Sequence, residues 1–204
     1  MVLHRHALSG HSHRVELFLA LLGLPCELVD VDLKAGAHKR PEFLRLNPFG
    51  QVPVLQDGPV TLSDSNAILV YLARRYGGER WLPQDPVAAA EVQRWLSVAA
   101  GPLHKGPASA RLVTVFGAKL DHDQAKTVAE GLFQVLDAHL ATGAFVAGSE
   151  PTIADIALYS YTAHAPEGGV SLEPFGAIRR WLQSIEALPG FVPMAATKVG
   201  LLAD

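Results

Sequence analysis

Asn47-Pro48-Phe49-Gly50-Gln51-Val52-Pro53-Val54-Leu55, with Leu62-Ser63-Asp64-Ser65-Asn66-Ala67-Ile68 close behind it, is the part of this chain whose reading decides the fold. Val52 to Leu55 is a short apolar run that reaches Asp57-Gly58, and Val60 to Leu62 follows, which is the signature of a tight antiparallel hairpin. From Asn66 the pattern turns helical. Leu69, Leu72, Ala73 and Tyr76 share one stripe, and Gly77-Gly78 stops it. Upstream, Met1 to Leu8 and Glu27 to Leu33 read as strands, the second because Val29, Val31 and Leu33 alternate with Asp30 and Asp32. Between them Val15, Phe18, Leu19 and Leu22 recur at helical spacing until Gly23 and Pro25. A strand, helix and strand of nearly minimal length imply a parallel pair, and the hairpin adds antiparallel partners, so a mixed sheet is expected.

Beyond Pro83 the strand signals nearly vanish. Asp85-Pro86 opens a helical run with Val92, Trp95, Leu96 and Ala99 in register, interrupted by Gly101-Pro102. Gly101 to Lys119 reads as a bent helix, although Leu112 to Phe116 has strand propensity. Asp121 to Ala141 and Phe175 to Leu188 are helical, and Thr152-Ile153-Ala154-Asp155 is a capping box ahead of another apolar run. About five helices and no internal repeat make the second part all-helical. The expected division is residues 1–80 and residues 86–204.

Composition removes whole classes of function. The chain has 204 residues, 49% of them hydrophobic and 18% charged, which is far from the composition of disorder. With 17 Lys and Arg against 20 Asp and Glu the net charge is −3, so nucleic acid has no basic footprint to bind. The longest apolar stretches, such as Leu17 to Cys26, reach about half the ~20 residues of a bilayer span, so no membrane association is expected. One cysteine and an amino terminus without a long apolar run point to the reducing cytoplasm. The charges divide unevenly about Pro83, +1 before it and −4 after it.

Three stretches carry the chemistry: Leu8-Ser9-Gly10-His11-Ser12-His13-Arg14-Val15 in a polar turn, His38 to Leu55, and Leu62 to Ile68. Their order, spacing and wording, together with the later Thr-x-x-Asp box, resemble the soluble glutathione S-transferase superfamily over essentially the whole chain, in its serine-type phi, theta and zeta-like branches. The resemblance implies an α/β plus all-α protein: a thioredoxin-like amino-terminal domain with a mixed four-stranded sheet, then an all-helical domain. It also implies an enzyme that joins the thiolate of glutathione to small hydrophobic electrophiles.

Residue by residue, the resemblance implies a cis Val52-Pro53 bond, with the Val52 backbone pairing the extended peptide. Ser65 would take the γ-glutamyl carboxylate at a helix start, and Asp64 the neighbouring ammonium. His38, Lys39 and Gln51 would meet the glycyl carboxylate, and the proline of the same loop is Pro53. Ser9, five residues before Arg14, matches the serine that activates the thiol; Ser12 is the neighbouring candidate, for which capping the first helix is an adequate structural role. The second substrate is expected between the Ser9–Ser12 turn and the Gly101–Phe116 helices, against His11, His104, Leu112 and Phe116.

The first tyrosine is Tyr71, which leaves none in the first turn to activate a thiol, and Cys26 has no C-x-x-C partner for cysteine-type chemistry. His4, His6, His11 and His13 form two H-x-H pairs without an acidic or thiol residue spaced to close a metal site, so no metal is expected. Family members pair as homodimers, which the resemblance extends to this chain. Rival readings of the same glutathione site are a peroxidase, a zeta-like cis-trans isomerase, against which stands the absent Ser-Ser-Cys wording, and a non-catalytic glutathione-binding protein.

Overall fold

The computed structural model describes residues 1–197. Strand β1 (Val2–Arg5) leads into α1 (Gly10–Leu21) and β2 (Glu27–Asp30); a short α2 (Pro41–Leu44) precedes β3 (Val54–Asp57), β4 (Val60–Ser63) and α3 (Ser65–Leu72). The strands form one four-stranded sheet in the order β2-β1-β3-β4, with β1 parallel to β2 and antiparallel to β3. Leu3 lies opposite both Leu28 and Leu55, and Leu55 opposite Leu62, so the pairing register lines up one apolar row across the sheet. Alternation then sends Leu3 and Leu55 into the main core with Phe18, Ile68 and Leu69, whereas Val54 joins a small cluster with Val31 and Phe43 on the other side.

The strands are shorter than the apolar runs suggest. β1 ends at Arg5 because the chain turns at once, the Ser9 amide bonding the His6 carbonyl at 2.9 Å. The ladder of β3 begins at Val54 and not at Val52, since Pro53 has no N–H to place in it. Val31 and Leu33 lie past the end of β2, yet Val31 is still buried, which is what its place in the alternation reports.

The second half is helical: α4 (Pro86–Val98), α5 (Ser109–Phe116), α6 (His122–Leu140), α7 (Ile153–Ala163) and α8 (Gly176–Glu186). Leu112 to Phe116 is helix, and the bend expected before it is a wide π-helical stretch over Ala99–Ala108 that contains Pro102 and Pro107. Proline cannot donate to the preceding turn, so the backbone opens there instead of continuing as a tight α-helix. Gly106 is required in this stretch, because a Cβ would stand 2.7 Å from the Ala129 amide of α6.

α7 runs through the middle of the molecule, buried from Ile153 to Thr162. Its capping box forms, the Asp155 carboxylate accepting the Thr152 amide at 2.9 Å, and the same carboxylate also takes the Val146 amide and the Trp181 indole N–H at 2.9 Å each. With the Thr152 hydroxyl donating as well at 3.1 Å, four donors compensate a charge that burial disfavours, and the box serves folding. The two halves are joined through α1, which packs on α7, and through Trp81, whose carbonyl receives the Ile153 amide at 3.0 Å and whose ring meets Phe18 edge-on.

Candidate functional site

A cleft of 650 Å³ opens where the β1–α1 turn, the loop before β3 and the amino end of α3 face the bend after α4. His11, His38, Lys39, Gln51, Val52, Pro53, Asp64, Ser65 and His104 all line it. Residues up to 93 positions apart are therefore gathered on one cavity, whose lining does not include Ser9 or Ser12. Leu112 and Phe116 do not line it; they belong to α5, where Phe116 is partly exposed with its ring edge near His6. The helix reading of that segment explains the displacement, since a helix after the π-helical bend carries both side chains away from the cleft floor.

Ser9 and Ser12 exchange part of their expected roles. α1 starts at Gly10, so Ser9 is its N-cap and the Ser9 hydroxyl accepts the Ser12 amide at 3.2 Å. Ser12 is no cap. It is buried in the first turn, where its hydroxyl accepts the His6 amide at 3.2 Å and holds the turn against β1. A hydroxyl that accepts a backbone N–H keeps its own proton free to donate, so Ser9 caps α1 and retains a donor.

At the other side of the cleft Asp64 caps α3, its carboxylate accepting the Ala67 amide at 2.9 Å, and it does so at φ 69°, in the left-handed region. Such a conformation in a non-glycine residue is strained, and strain of this kind collects at sites where a side chain must be aimed. Ser65 follows as the first residue of the helix, where backbone amides have no partner and the dipole favours an anion. Beneath it lies Arg14, fully buried, donating to the Ser65 hydroxyl at 3.2 Å and to the Asn66 carboxamide at 2.7 Å, while its Nε and second terminal nitrogen have no partner among the described residues. Burial brings Arg14 down to about 10, which leaves it charged at neutral pH. Serine hydroxyl, helix end and buried guanidinium form an anion site, and Arg14 is a member that we did not assign to the site from sequence. Its signal in the sequence was its place five residues after Ser9, in the Ser9-x-x-Ser12-x-Arg14 wording.

The loop before β3 is closed on itself. Asn47 donates to the Gln51 carbonyl at 2.8 Å and accepts the Phe49 amide, and the Lys39 ammonium donates to the Phe49 and Gly50 carbonyls at 3.2 and 3.0 Å. Gly50 has φ 58°, and a Cβ there would stand 2.7 Å from the His38 carbonyl, so only glycine lets this loop pack. Lys39 and His38 thus bring a second basic edge to the cleft, at the end away from Ser65. The Val52-Pro53 bond is cis, in line with the resemblance.

His11 and His104 face each other across the halves, His11 Nε2 and His104 Nδ1 being 3.4 Å apart and His11 Nδ1 standing 3.2 Å from the Ser65 hydroxyl. Burial, with Arg14 and the partner imidazole adding to it, holds His11 well below the usual imidazole range, and burial likewise lowers His104. Both are neutral at pH 7 and present hydrogen-bonding groups, not charge. Ala100 completes this wall, a residue for which the sequence carried no signal. Among the described residues no cluster of three or more His, Cys, Asp or Glu side chains is arranged to hold a metal ion, and no helix is long and apolar enough to cross a membrane.

Comparison with known proteins addresses the same two halves. Residues 1–74 match the family model described as glutathione S-transferase, N-terminal domain, and residues 101–189 match the one described as glutathione S-transferase, C-terminal domain. Glutathione S-transferase 3 of Zea mays is 38% identical over 199 residues, covering 90% of this chain and 88% of its own. The crystal structure of a glutathione S-transferase from Pseudomonas fluorescens Pf-5 superposes with a TM-score of 0.90 at 31% identity, over 95% of this chain and 98% of that one. A glutathione transferase homologue from Drosophila mojavensis, solved with bound glutathione, superposes with a TM-score of 0.83 at 26% identity, over 92% and 88%. The mixed sheet and the helical layer are shared with proteins that match almost end to end, and the chain belongs to the glutathione S-transferase superfamily.

Proposed function

We propose that this protein is a glutathione transferase, which joins the thiolate of glutathione to small hydrophobic electrophiles and needs no metal. The observation that carries the reading is a cleft lined by Ser65 over the buried Arg14 and by His38 and Lys39, with the Ser9 hydroxyl capping α1 beside it. Glutathione is an extended peptide with a carboxylate at each end and a thiol between. In this reading the γ-glutamyl carboxylate lies on the Ser65 amide and hydroxyl, Asp64 faces the ammonium group, and the glycyl carboxylate meets His38, Lys39 and Gln51. The Val52 backbone ahead of Pro53 pairs the peptide.

Ser9 donates to the sulfur. A free thiol near pKa ~8.5 is only a few per cent ionised at neutral pH, and lowering it by two units requires about 2.7 kcal/mol of preferential stabilisation of the thiolate. A charge-assisted hydrogen bond at a helix amino end is of that order. The thiolate then forms the C–S bond with the electrophile held against His11 and His104, halide leaving from an aryl halide, or the C=C π bond of an enone breaking with its electron pair protonated from water.

The proposed domains are residues 1–80, carrying glutathione, and residues 86–204, of which 198–204 lie outside the described residues. A cytoplasmic homodimer is part of the proposal. Phe49 is 77% exposed at the tip of its loop, an apolar groove runs between α3 and α4 beside Val70 and Leu96, and the halves carry +1 and −4. Sedimentation at micromolar concentration should give twice the 21.8 kDa of one chain. Calorimetry with millimolar glutathione, followed by a panel of aryl halides, enones, hydroperoxides and maleyl-type diacids, tests the activity. Absence of both heat and thermal shift with glutathione would refute the reading, and turnover confined to hydroperoxides or diacids would replace the transferase by a peroxidase or an isomerase.

A further inference from the structure

His11 and His104 continue a run of hydrogen-bonding groups from the Ser65 end of the cleft to the helical half. Arg14 donates to the Ser65 hydroxyl at 3.2 Å, the Ser65 oxygen stands 3.2 Å from His11 Nδ1, and His11 Nε2 stands 3.4 Å from His104 Nδ1. Tyr161 of α7 sets the His11 ring, packing edge-on against it with ring centroids 5.1 Å apart. His104 comes from the wide bend between α4 and α5, where its carbonyl accepts the Ser109 hydroxyl at 2.8 Å. Its ring lines the cleft, and its Nε2 has no partner among the described residues.

Donor counting gives this run a direction. A neutral imidazole has one N–H and one bare nitrogen, and burial keeps both rings neutral at pH 7. The Arg14 guanidinium can only donate, so it engages one lone pair of the Ser65 oxygen. A carboxylate on Ser65 can only accept, so it takes the Ser65 proton. What remains for His11 is the second lone pair of that oxygen, and its Nδ1 must carry the proton. His11 Nε2 is then an acceptor, His104 Nδ1 is its donor, and the lone pair left over is on His104 Nε2. Without an anion Ser65 is free to donate to His11 instead, and the same count puts a proton on His104 Nε2. Occupation of Ser65 thus sets the hydrogen-bonding sense of a ring on the opposite wall.

We propose that His104 is a specificity-determining residue for the second substrate: once the γ-glutamyl carboxylate engages Ser65, His104 Nε2 presents a hydrogen-bond acceptor to the cleft and favours electrophiles that carry an O–H or N–H donor. The proposal rests on the reading of Ser65 as the carboxylate site. A substrate that binds against this wall displaces water from the bare nitrogen, and only a donor on the substrate replaces the lost bond. An electrophile without a donor leaves the acceptor unmatched and is bound less well in the reacting complex.

The test has two arms. In the first, S-methylglutathione, which cannot react, is titrated by calorimetry, and nitrogen NMR of the imidazoles in the complex reads which ring nitrogen is protonated; His11 and His104 should both carry the proton on Nδ1. In the second, glutathione addition to an enone with a hydroxyl on the carbon beside the double bond is compared with addition to its methyl ether. Wild type should favour the hydroxyl compound by about tenfold in kcat/KM, and His104→Phe should bring that ratio to about one. His104→Gln, whose carboxamide oxygen keeps an acceptor, should restore most of the preference. Both compounds are measured on the same preparation, so a loss of folded protein cancels in the ratio. A proton on His104 Nε2 in the complex, or the same ratio in wild type and His104→Phe, overturns the proposal and leaves the carboxylate site standing. Absence of heat with S-methylglutathione overturns that site and the proposal with it.

Discussion

His13 should make the stability of this protein fall steeply in mild acid. Its ring is 2% exposed between α1, α7 and the carboxyl-terminal segment. Nε2 lies 2.9 Å from the Val192 carbonyl, which can only accept, so that nitrogen carries the proton and Nδ1 accepts from the Ser160 hydroxyl at 2.9 Å. The folded site is therefore built for neutral imidazole, and burial, only partly opposed by the Val192 bond, lowers His13 to about 4. Unfolded, the same ring titrates near 6.5. Because the folded pKa is the lower one, the unfolded chain takes up the proton first as the pH drops. The stabilisation is complete above about 6.5 and is lost through the window from there down to about 4. Between pH 7 and pH 5 the loss amounts to about 2 kcal/mol.

The perturbation is His13→Asn, which removes the titration while keeping a donor. Urea unfolding of both proteins at pH 7 and pH 5 isolates the residue, because burial lowers His6, His11 and His104 in the variant too, and their contributions cancel in the difference. Wild type should lose about 2 kcal/mol more than His13→Asn over that interval. A difference under about 0.5 kcal/mol, or an NMR titration of His13 near its unfolded value, would refute the reasoning.

Ser9→Ala should raise the pKa of bound glutathione and lower kcat by about 10–100-fold with little change in affinity, whereas Ser12→Ala should cost about 1 kcal/mol in a melt by orphaning the His6 amide. If the pH–rate profile moves for Ser12→Ala and not for Ser9→Ala, the assignments exchange. In calorimetry Asp64→Ala should weaken glutathione binding more than Lys39→Ala, because the Lys39 ammonium is already engaged by the Phe49 and Gly50 carbonyls; equal losses contradict the ranking. Gly10→Ala should destabilise by about 1–3 kcal/mol through overpacking on Tyr161, and an unchanged melting temperature would show that α1 and α7 can separate at no cost.

The order of elements was legible in the sequence because each rests on local chemistry. Gly58 marks the hairpin turn, Gly23 and Pro25 end the first helix, and the Thr152–Asp155 box starts α7 whatever the rest of the chain does. The loop before β3 was legible for the same reason, since Asn47, Gly50 and Lys39 close it within 11 residues. Where a helix or strand ends was harder to read, because β1 and β2 stop where the tertiary turn demands, not where the apolar run does.

What only the tertiary structure decided involves groups far apart in the chain whose partners no periodicity can name. Ser12 reads as a cap by its position, yet the first turn directs it to His6 and leaves the capping to Ser9. Arg14 acquires its place under Ser65 from 51 residues away, and Arg111 reaches Leu8 across 103. The sequence places no tyrosine within the first turn, and the ring packed beneath Gly10 is Tyr161, which α7 brings from the other half. Sequence spacing reports the contacts that a helix or strand makes with itself, through its period of 3.6 or 2. Which distant hydroxyl or guanidinium faces a given turn is set by the packing of whole elements on one another, and that is fixed only when the core closes.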